Sequence, residues 1–251
     1  MPENKRIWKY NCQAAVSLSY DDGLPSHVDQ VAPDLETAGL RATFYVPALS
    51  DLRQRPEKWR EVARRGHELG NHTLFHPCRS EPGLVRDFLD PAYNLCNYSI
   101  RRWGDEIDAA NLILHLIDGR SVRTFGNTCW DNTIGPSNDS INLESHILRR
   151  FVAARGGLTN RPVDLNTLNF ANLGTIHGDY FSFKDLKTII DEVTETHGWV
   201  ILTFHGVGKD AHRLFIDETE HQALLQYLNN QRNYIWTAPI IEVVDYLKMN
   251  G

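Results

Sequence analysis

No run in this 251-residue chain approaches the roughly 20 consecutive apolar residues that a bilayer-spanning helix needs, so no membrane partner is expected. Positive charge is also scarce: 26 Lys and Arg stand against 32 Asp and Glu, a net charge of −6 with the 11 histidines neutral. Nucleic-acid binders normally present a basic face, so a nucleic-acid partner is not expected, and the acidity serves solubility. Cysteine is limited to Cys12, Cys78, Cys96 and Cys129. Four cysteines in a chain this long do not make a disulfide scaffold, and their spacing fits no zinc motif; free thiols are the expectation. Linkers, low-complexity tracts and internal repeats are missing as well. The opening Met1-Pro2-Glu3-Asn4-Lys5-Arg6 has neither an apolar signal core nor a small-residue cleavage site. That sets the expectation of a cytoplasmic chain, or of a secreted one with its export signal removed. What remains is an ordinary globular composition, 41% hydrophobic and 23% charged, long enough for one domain over 1–251 with a substantial core.

Within that frame, strand and helix patterns alternate. Ala14 to Ser19 reads as a buried strand ended by the turn Asp21-Asp22-Gly23. Ser26 is placed to cap a helix over 27–38, closed by Gly39 and bent by Pro33. The β-branched and aromatic run Ala42 to Val46 is a second strand, and Pro56 opens a helix over 57–65. A short strand through Glu68-Leu69-Gly70 delivers His72. Asp90 and Pro91 precede a long helical segment in which Ile100, Trp103, Ile107, Leu114 and Ile117 recur at three- and four-residue steps. Strands near 122–125, 151–155, 200–204 and 235–238, with helices near 144–150, 184–197, 218–228 and 239–248, complete the pattern. Such alternation implies a largely parallel sheet covered by helices, and about seven units favour a barrel over an open sheet. Barrels of this kind place their active sites at the C-terminal strand ends.

Three polar clusters fall at such ends. Asp21-Asp22-Gly23 is first of all a turn signal. Two adjacent carboxylates nevertheless repel unless a cation offsets them or one is protonated. A metal held by Asp22 supplies the cation and leaves Asp21 ionised as a base. His72 and His76 are four apart, so on one helical turn they share a face and reach one ion. Thr73 can hydrogen-bond the local backbone, and Pro77 stops the turn. The apolar run Val200 to Phe204 ends at His205-Gly206. A lone histidine there is by default a satisfied core residue. On the same barrel face as the carboxylates, it reads as an acid/base group. Together these are the ingredients of a divalent-metal hydrolase.

Tyr20-Asp21-Asp22-Gly23, His72-Thr73-Leu74-Phe75-His76-Pro77 and Thr203-Phe204-His205-Gly206 resemble the polysaccharide deacetylases of the NodB-homology, carbohydrate-esterase-4 type, over residues 14–246. The resemblance implies an α/β fold, a distorted (β/α)7 barrel. It implies one divalent metal, zinc first with cobalt or nickel as alternatives, held by Asp22, His72 and His76. Asp21 matches the catalytic base and His205 the general acid. The implied activity is hydrolysis of N- or O-acetyl groups on a carbohydrate. The middle of the chain departs from the family pattern, reading Arg123-Thr124-Phe125-Gly126-Asn127-Thr128-Cys129-Trp130. The arginine that steadies the base is therefore Arg123 or Arg155, with Arg155 preferred. Asp179, in His177-Gly178-Asp179-Tyr180, is the acidic partner for His205, or else a turn or cap residue. Backbone N–H groups in the 127–130 loop are candidates for stabilising the oxyanion. Trp130, Tyr180 and Tyr45 are candidates for stacking on sugar rings, against the ordinary reading of aromatics as core. The segment from Cys78 to Tyr98 is expected to wall the groove. The alternatives are an allantoinase-like hydrolase of a small cyclic amide or ureide, and a non-catalytic carbohydrate-binding relative. The sequence leaves the oligomeric state open.

Overall fold

A computed structural model describes residues 8–250. The Met1–Arg6 stretch read above for an export signal lies outside the described residues. Seven parallel strands close on themselves. These are β1 (Ala14–Asp21), β2 (Thr43–Val46), β3 (Glu68–Asn71), β4 (Phe125–Gly126), β5 (Ala154–Leu158), β6 (Leu173–His177) and β7 (Trp199–Phe204), with β7 pairing back onto β1. The closing pair is the longest, in register from Ala15 opposite Trp199 to Tyr20 opposite Phe204. β4 has only two residues, which makes the barrel irregular on that side. An eighth strand, β8 (Ile235–Thr237), pairs with the first half of β1, while β2 pairs with the second half. The α/β barrel of the NodB type anticipated from the sequence is the fold.

Side-chain alternation along β1 and β7 separates two environments. Val16, Leu18, Tyr20, Val200, Leu202 and Phe204 face outward and pack against helical residues such as Leu35, Val62, Leu186 and Leu224. The opposite parity faces the barrel interior. Ala15, Trp199 and Ile201 fill its base. Above them the Ser19 hydroxyl meets Thr203 Oγ1 at 2.8 Å, and Thr203 meets Thr175 Oγ1, also at 2.8 Å. Asp21 continues that inward series at the top of β1, only 3% exposed.

The longer helices are α1 (Ala32–Thr37), α2 (Pro56–Arg64), α3 (Ile100–Asp118), α4 (Phe183–Glu195), α5 (Glu218–Asn230) and α6 (Ile240–Asn250), with single turns at Asp51–Gln54 and Glu144–Ile147. The helix expected over 27–38 is split. A π-type turn covers His27–Val31, and α1 begins with Pro33 in its first turn. Proline lacks an N–H and its ring crowds the preceding carbonyl, so the turn before it widens. Ser26 makes no capping bond. The long helix starts at Ser99, whose hydroxyl accepts from Arg102 N–H, while Asp90 caps only the short turn Pro91–Tyr93. β6 had no clear counterpart in the sequence, where Gly174 and neighbouring asparagines mask any period. The buried Glu68 carboxylate ties the barrel wall together by accepting from Thr43 Oγ1, Thr124 N–H and Oγ1, and Ile241 N–H.

Candidate active site

The C-terminal strand ends open into one cleft of about 840 Å³ lined by Asp21, Asp22, His72, His76, His177 and His205, among others. Asp21 points into it as the last residue of β1. Asp22 and Gly23 then adopt left-handed backbone, with φ of +78° and +57°, which swings the Asp22 carboxylate over the barrel mouth. A Cβ at Gly23 would lie 2.5 Å from Ser50 Oγ, so the turn requires glycine.

His72 follows β3 directly, and its Nδ1 lies 2.7 Å from the Gly126 carbonyl. That oxygen only accepts, so Nδ1 carries the proton and the Nε2 lone pair is presented to the cleft. His76 reaches the same point by a different route from the one anticipated. The 72–76 segment is not helical, for Thr73 and His76 both have positive φ, +68° and +55°. The Thr73 hydroxyl accepts from His76 N–H at 2.9 Å, and this tight turn brings the two rings to 5.0 Å.

Asp22 Oδ1 lies 3.1 Å from His76 Nε2 and 3.7 Å from His72 Nε2, and no hydrogen-bond partner of the described residues reaches this buried oxygen. Ligands about 2.0–2.2 Å from one ion sit about 3.0–3.5 Å apart, so Asp22, His72 and His76 fit a divalent metal. Two other clusters do not. His177 Nε2 and His205 Nδ1 each lie 2.6 Å from Asp179 Oδ2, a distance for a shared proton rather than two ligands of an ion. The sulfurs near His76 are those of a Cys78–Cys129 disulfide.

The disulfide corrects the expectation of free thiols for that pair; Cys12 and Cys96 are free. The two cysteines are 51 residues apart, but they lie just beyond the ends of the adjacent strands β3 and β4, with Cα atoms at 5.7 Å. Sequence spacing does not reveal such neighbours. Thr128 Oγ1 donates to the Pro77 carbonyl, and the Asp131 carboxylate accepts from Arg79 N–H at 2.8 Å and from Arg86 at 2.5 Å. The loop bearing His76 is thus stapled to the loop bearing Trp130.

Arg155 is fully buried and donates from Nη2 to Asp21 Oδ2 at 2.7 Å. Its guanidinium lies 4.8 Å from the Tyr45 ring centroid and 4.5 Å from that of Trp130. A Cβ at position 126 would meet Arg155 Nη2 at 2.8 Å, so Gly126 makes room for the pair. Arg123, the other candidate, is spent on Asp118 and the Leu69 carbonyl away from the cleft. Asp21 Oδ1 has no partner among the described residues and is free to accept a proton.

Asp179 grips His205 twice. Oδ1 accepts from the His205 N–H at 3.0 Å, and Oδ2 from Nδ1. His27 Nε2, 2.8 Å away, donates to the His205 carbonyl. Burial pushes the His205 imidazole down, but the hydrogen bond to Asp179 and the charges of Asp21, Asp179 and Asp22 outweigh it and raise its pKa. Burial likewise pushes Asp179 up, and its contacts with His177 and His205 bring it below the usual carboxylate value.

Of the aromatic candidates, Trp130 lines the cleft. Tyr45 is wholly buried with its hydroxyl on Thr124, so it is core and carries no sugar. Tyr180 is 62% exposed and packs edge-on against Phe215, and it does not line the cleft. Arg86 and Phe88 bring the 78–98 segment to the cleft wall. Two residues of the site went unmarked in the sequence. His177 ends β6, a strand that was itself missed. His212 stacks on His205 at 5.5 Å with Nε2 3.9 Å from Asp22 Oδ2, but it sits in an irregular loop without any pattern to single it out.

Known proteins share sequence with part of this chain and share its fold. Over 265 aligned residues the chain is 24% identical to a gellan lyase from a Bacillus species, covering 96% of the chain and 10% of that protein. Over 94 residues it is 30% identical to a peptidoglycan-N-acetylglucosamine deacetylase of Bacillus cereus, 36% of the chain and 40% of that protein. The matched stretches therefore span well under two thirds of these relatives. Among solved structures, a candidate polysaccharide deacetylase of Mycobacterium smegmatis superposes with a TM-score of 0.67 at 13% identity, covering 99% of this chain and 95% of that one. A family 4 acetyl xylan esterase of Clostridium thermocellum, solved with a cobalt ion, gives 0.56 at 15%, covering 92% and 90%. Residues 9–126, just under half of the chain and including Asp21, Asp22, His72 and His76, match the family model described as polysaccharide deacetylase, and the closed barrel is the fold of these solved structures.

Proposed function

We propose that the chain hydrolyses N- or O-acetyl groups from a poly- or oligosaccharide, with Asp22, His72 and His76 holding one divalent metal. Zinc suits the one-carboxylate, two-imidazole donor set, with cobalt or nickel as alternatives; the cobalt in the acetyl xylan esterase supports this reading. When bound, such an ion polarises an acetyl carbonyl and acidifies a water molecule.

The observation that carries the reading is the division of labour around the cleft. Asp21, paired with buried Arg155 through Oδ2, keeps Oδ1 free to take a proton from the attacking water. On the other side Asp179 holds the Nδ1–H of His205, so the proton on its Nε2 is the one available to the departing nitrogen or oxygen. The raised pKa of His205 favours the imidazolium this step requires. Water supplies one proton to Asp21 and a hydroxyl to the acyl carbon, His205 supplies one proton to the leaving group, and the products are acetate and the free amine or alcohol. A binding protein has no need of either a base or an acid. The peptidoglycan-N-acetylglucosamine deacetylase and the acetyl xylan esterase support an acetylated glycan as substrate. Disulfides persist in oxidising compartments, so Cys78–Cys129 supports secretion over the cytoplasm.

The test is acetate release across N- and O-acetylated oligosaccharides with metal content measured in parallel. Asp21→Asn is expected to keep its metal and lose turnover by at least about 100-fold, the scale of general base catalysis. His76→Ala is expected to lose both. Full turnover by Asp21→Asn on the preferred substrate removes Asp21 from the role of base.

A further inference from the structure

The Cys78–Cys129 bridge stands directly against one of the proposed metal ligands. Cys78 Sγ lies 3.7 Å from His76 Nδ1, whereas the other ring nitrogen, Nε2, meets Asp22. The ligand atoms of His76, Cys78 and Cys129 all lie within 4.8 Å of one another. In a tetrahedral zinc site, Zn–S of about 2.3 Å and Zn–N of about 2.0 Å put a sulfur about 3.5 Å from the nitrogen and about 3.8 Å from a second sulfur. The sulfur–nitrogen spacing is already close to this, and two sulfurs released from a covalent bond separate towards the other. Non-covalent contacts hold the two loops together without the bridge. Thr128 Oγ1 donates to the Pro77 carbonyl, Asp131 accepts from Arg79 N–H and Arg86, and Leu95 N–H donates to the Cys78 carbonyl at 2.9 Å. Opening the bridge therefore leaves both sulfurs beside His76. Cys129 lines the cleft, where a small thiol can reach it.

His76 cannot serve two ions at once, because a neutral imidazole has one lone pair. With an ion on Nε2, beside Asp22 and His72, the ring proton is on Nδ1. With an ion on Nδ1, the proton is on Nε2, which lies at hydrogen-bond distance, 3.1 Å, from Asp22 Oδ1. The ring thus satisfies either arrangement without turning, and the second arrangement occupies Asp22 as well. Two thiolates and one imidazole are a donor set that zinc accepts with its fourth position open.

We propose that reduction of Cys78–Cys129 creates a second zinc site, formed by the two sulfurs and His76 Nδ1, which withdraws His76 from Asp22 and His72 and turns hydrolysis off. The inhibitory half rests on the deacetylase reading above. Two molecules of a monothiol convert the bridge to two cysteine thiols and leave as one disulfide; zinc then displaces one proton from each thiol. Re-oxidation by a small-molecule disulfide takes up those protons, regenerates the bridge and two monothiols, and releases the ion. The enzyme is thereby off in a reducing compartment and on in an oxidising one.

The test uses the full chain, either oxidised or reduced with a monothiol that is then removed without air. Cobalt(II) is the spectroscopic probe, and acetate release is measured with zinc in excess. Reduced wild type is expected to show thiolate-to-cobalt charge-transfer absorption that the oxidised protein lacks. Its turnover is expected to fall by at least about tenfold, the scale on which metal sites respond to loss of even an outer partner. Cys78→Ser combined with Cys129→Ser lacks both the bridge and the sulfurs. That variant is expected to show no such absorption and to exceed reduced wild type in turnover, which separates an open staple from capture of His76. Reduced wild type without the absorption overturns the proposal, and so does absorption with full turnover; both readings come from wild type and stand even where the double variant does not fold. Equal turnover of reduced wild type and the double variant assigns the loss to the open staple and overturns the switch. If oxidised wild type releases acetate from no member of the oligosaccharide panel, the deacetylase reading fails and the switch with it, while the cobalt spectra still decide the second site.

Discussion

Replacing Asp179 by Asn changes one atom and leaves the packing nearly intact, which makes it a sharp probe of the proton-donor half of the site. The carboxylate offers two oxygens to His205, one to its N–H at 3.0 Å and one to Nδ1 at 2.6 Å. An amide has one acceptor oxygen, so one of these two donors loses its partner. Hydrogen bonds to a charged group contribute about 1.5–3 kcal/mol. At about 1.4 kcal/mol per pH unit, losing the bond that favours the imidazolium lowers the pKa of His205 by about one to two units. The sign follows from the causes: burial already pushes His205 down, and Asp179 is first among the groups raising it. In the proposed mechanism His205 acts protonated, so the alkaline limb of kcat/KM is expected to move to lower pH by that amount. Above the limb, activity falls by about 10- to 100-fold. The assay is acetate release from pH 5 to 10 with metal content confirmed, and NMR titration of His205 reports the same shift directly. An alkaline limb that stays in place in Asp179→Asn, with metal content unchanged, refutes His205 as the donor tuned by Asp179.

Two further outcomes concern stability. His27, His67 and His221 are buried, and burial depresses their pKa values to about 4, 4 and 3, with Arg41 and Arg65 adding to the effect on His67 and His27 on His221. Unfolding lets them return towards about 6.5, so the unfolded state binds more protons between that value and 4, and stability falls as pH falls through this window. Three protons correspond to a slope of about 4 kcal/mol per pH unit near pH 5; urea midpoints that do not change between pH 7 and pH 5 contradict it. Opening the Cys78–Cys129 bridge releases a loop of 51 residues, about 4 kcal/mol in chain-entropy terms, so Cys78→Ser and reductant are each expected to lower Tm. Trp130 fluorescence is expected to change along with metal affinity, because the bridge joins the loops carrying Trp130 and His76; unchanged Tm and affinity under reductant count against the staple.

The barrel and most of its candidate site were legible because they follow local rules. A buried strand ending in carboxylates, a His-Thr-x-x-His turn and a last apolar strand ending in histidine state their chemistry within a few residues each, and period-two alternation sends Asp21 inward. The sequence alone also recorded the acidic charge balance and the order of strands and helices. The choice between Arg155 and Arg123 was a matter of which arginine the closed barrel buries under Trp130 against Asp21, and no local pattern carries that. The disulfide, the left-handed turn that replaces the expected helical one at His72–His76, and the convergence of His177 and His212 on the cleft are equally non-local. Strand ends far apart in the chain become neighbours only when the sheet closes. Local sequence sets which groups are available at each strand end, but barrel closure sets which of them share a proton, a charge or an ion.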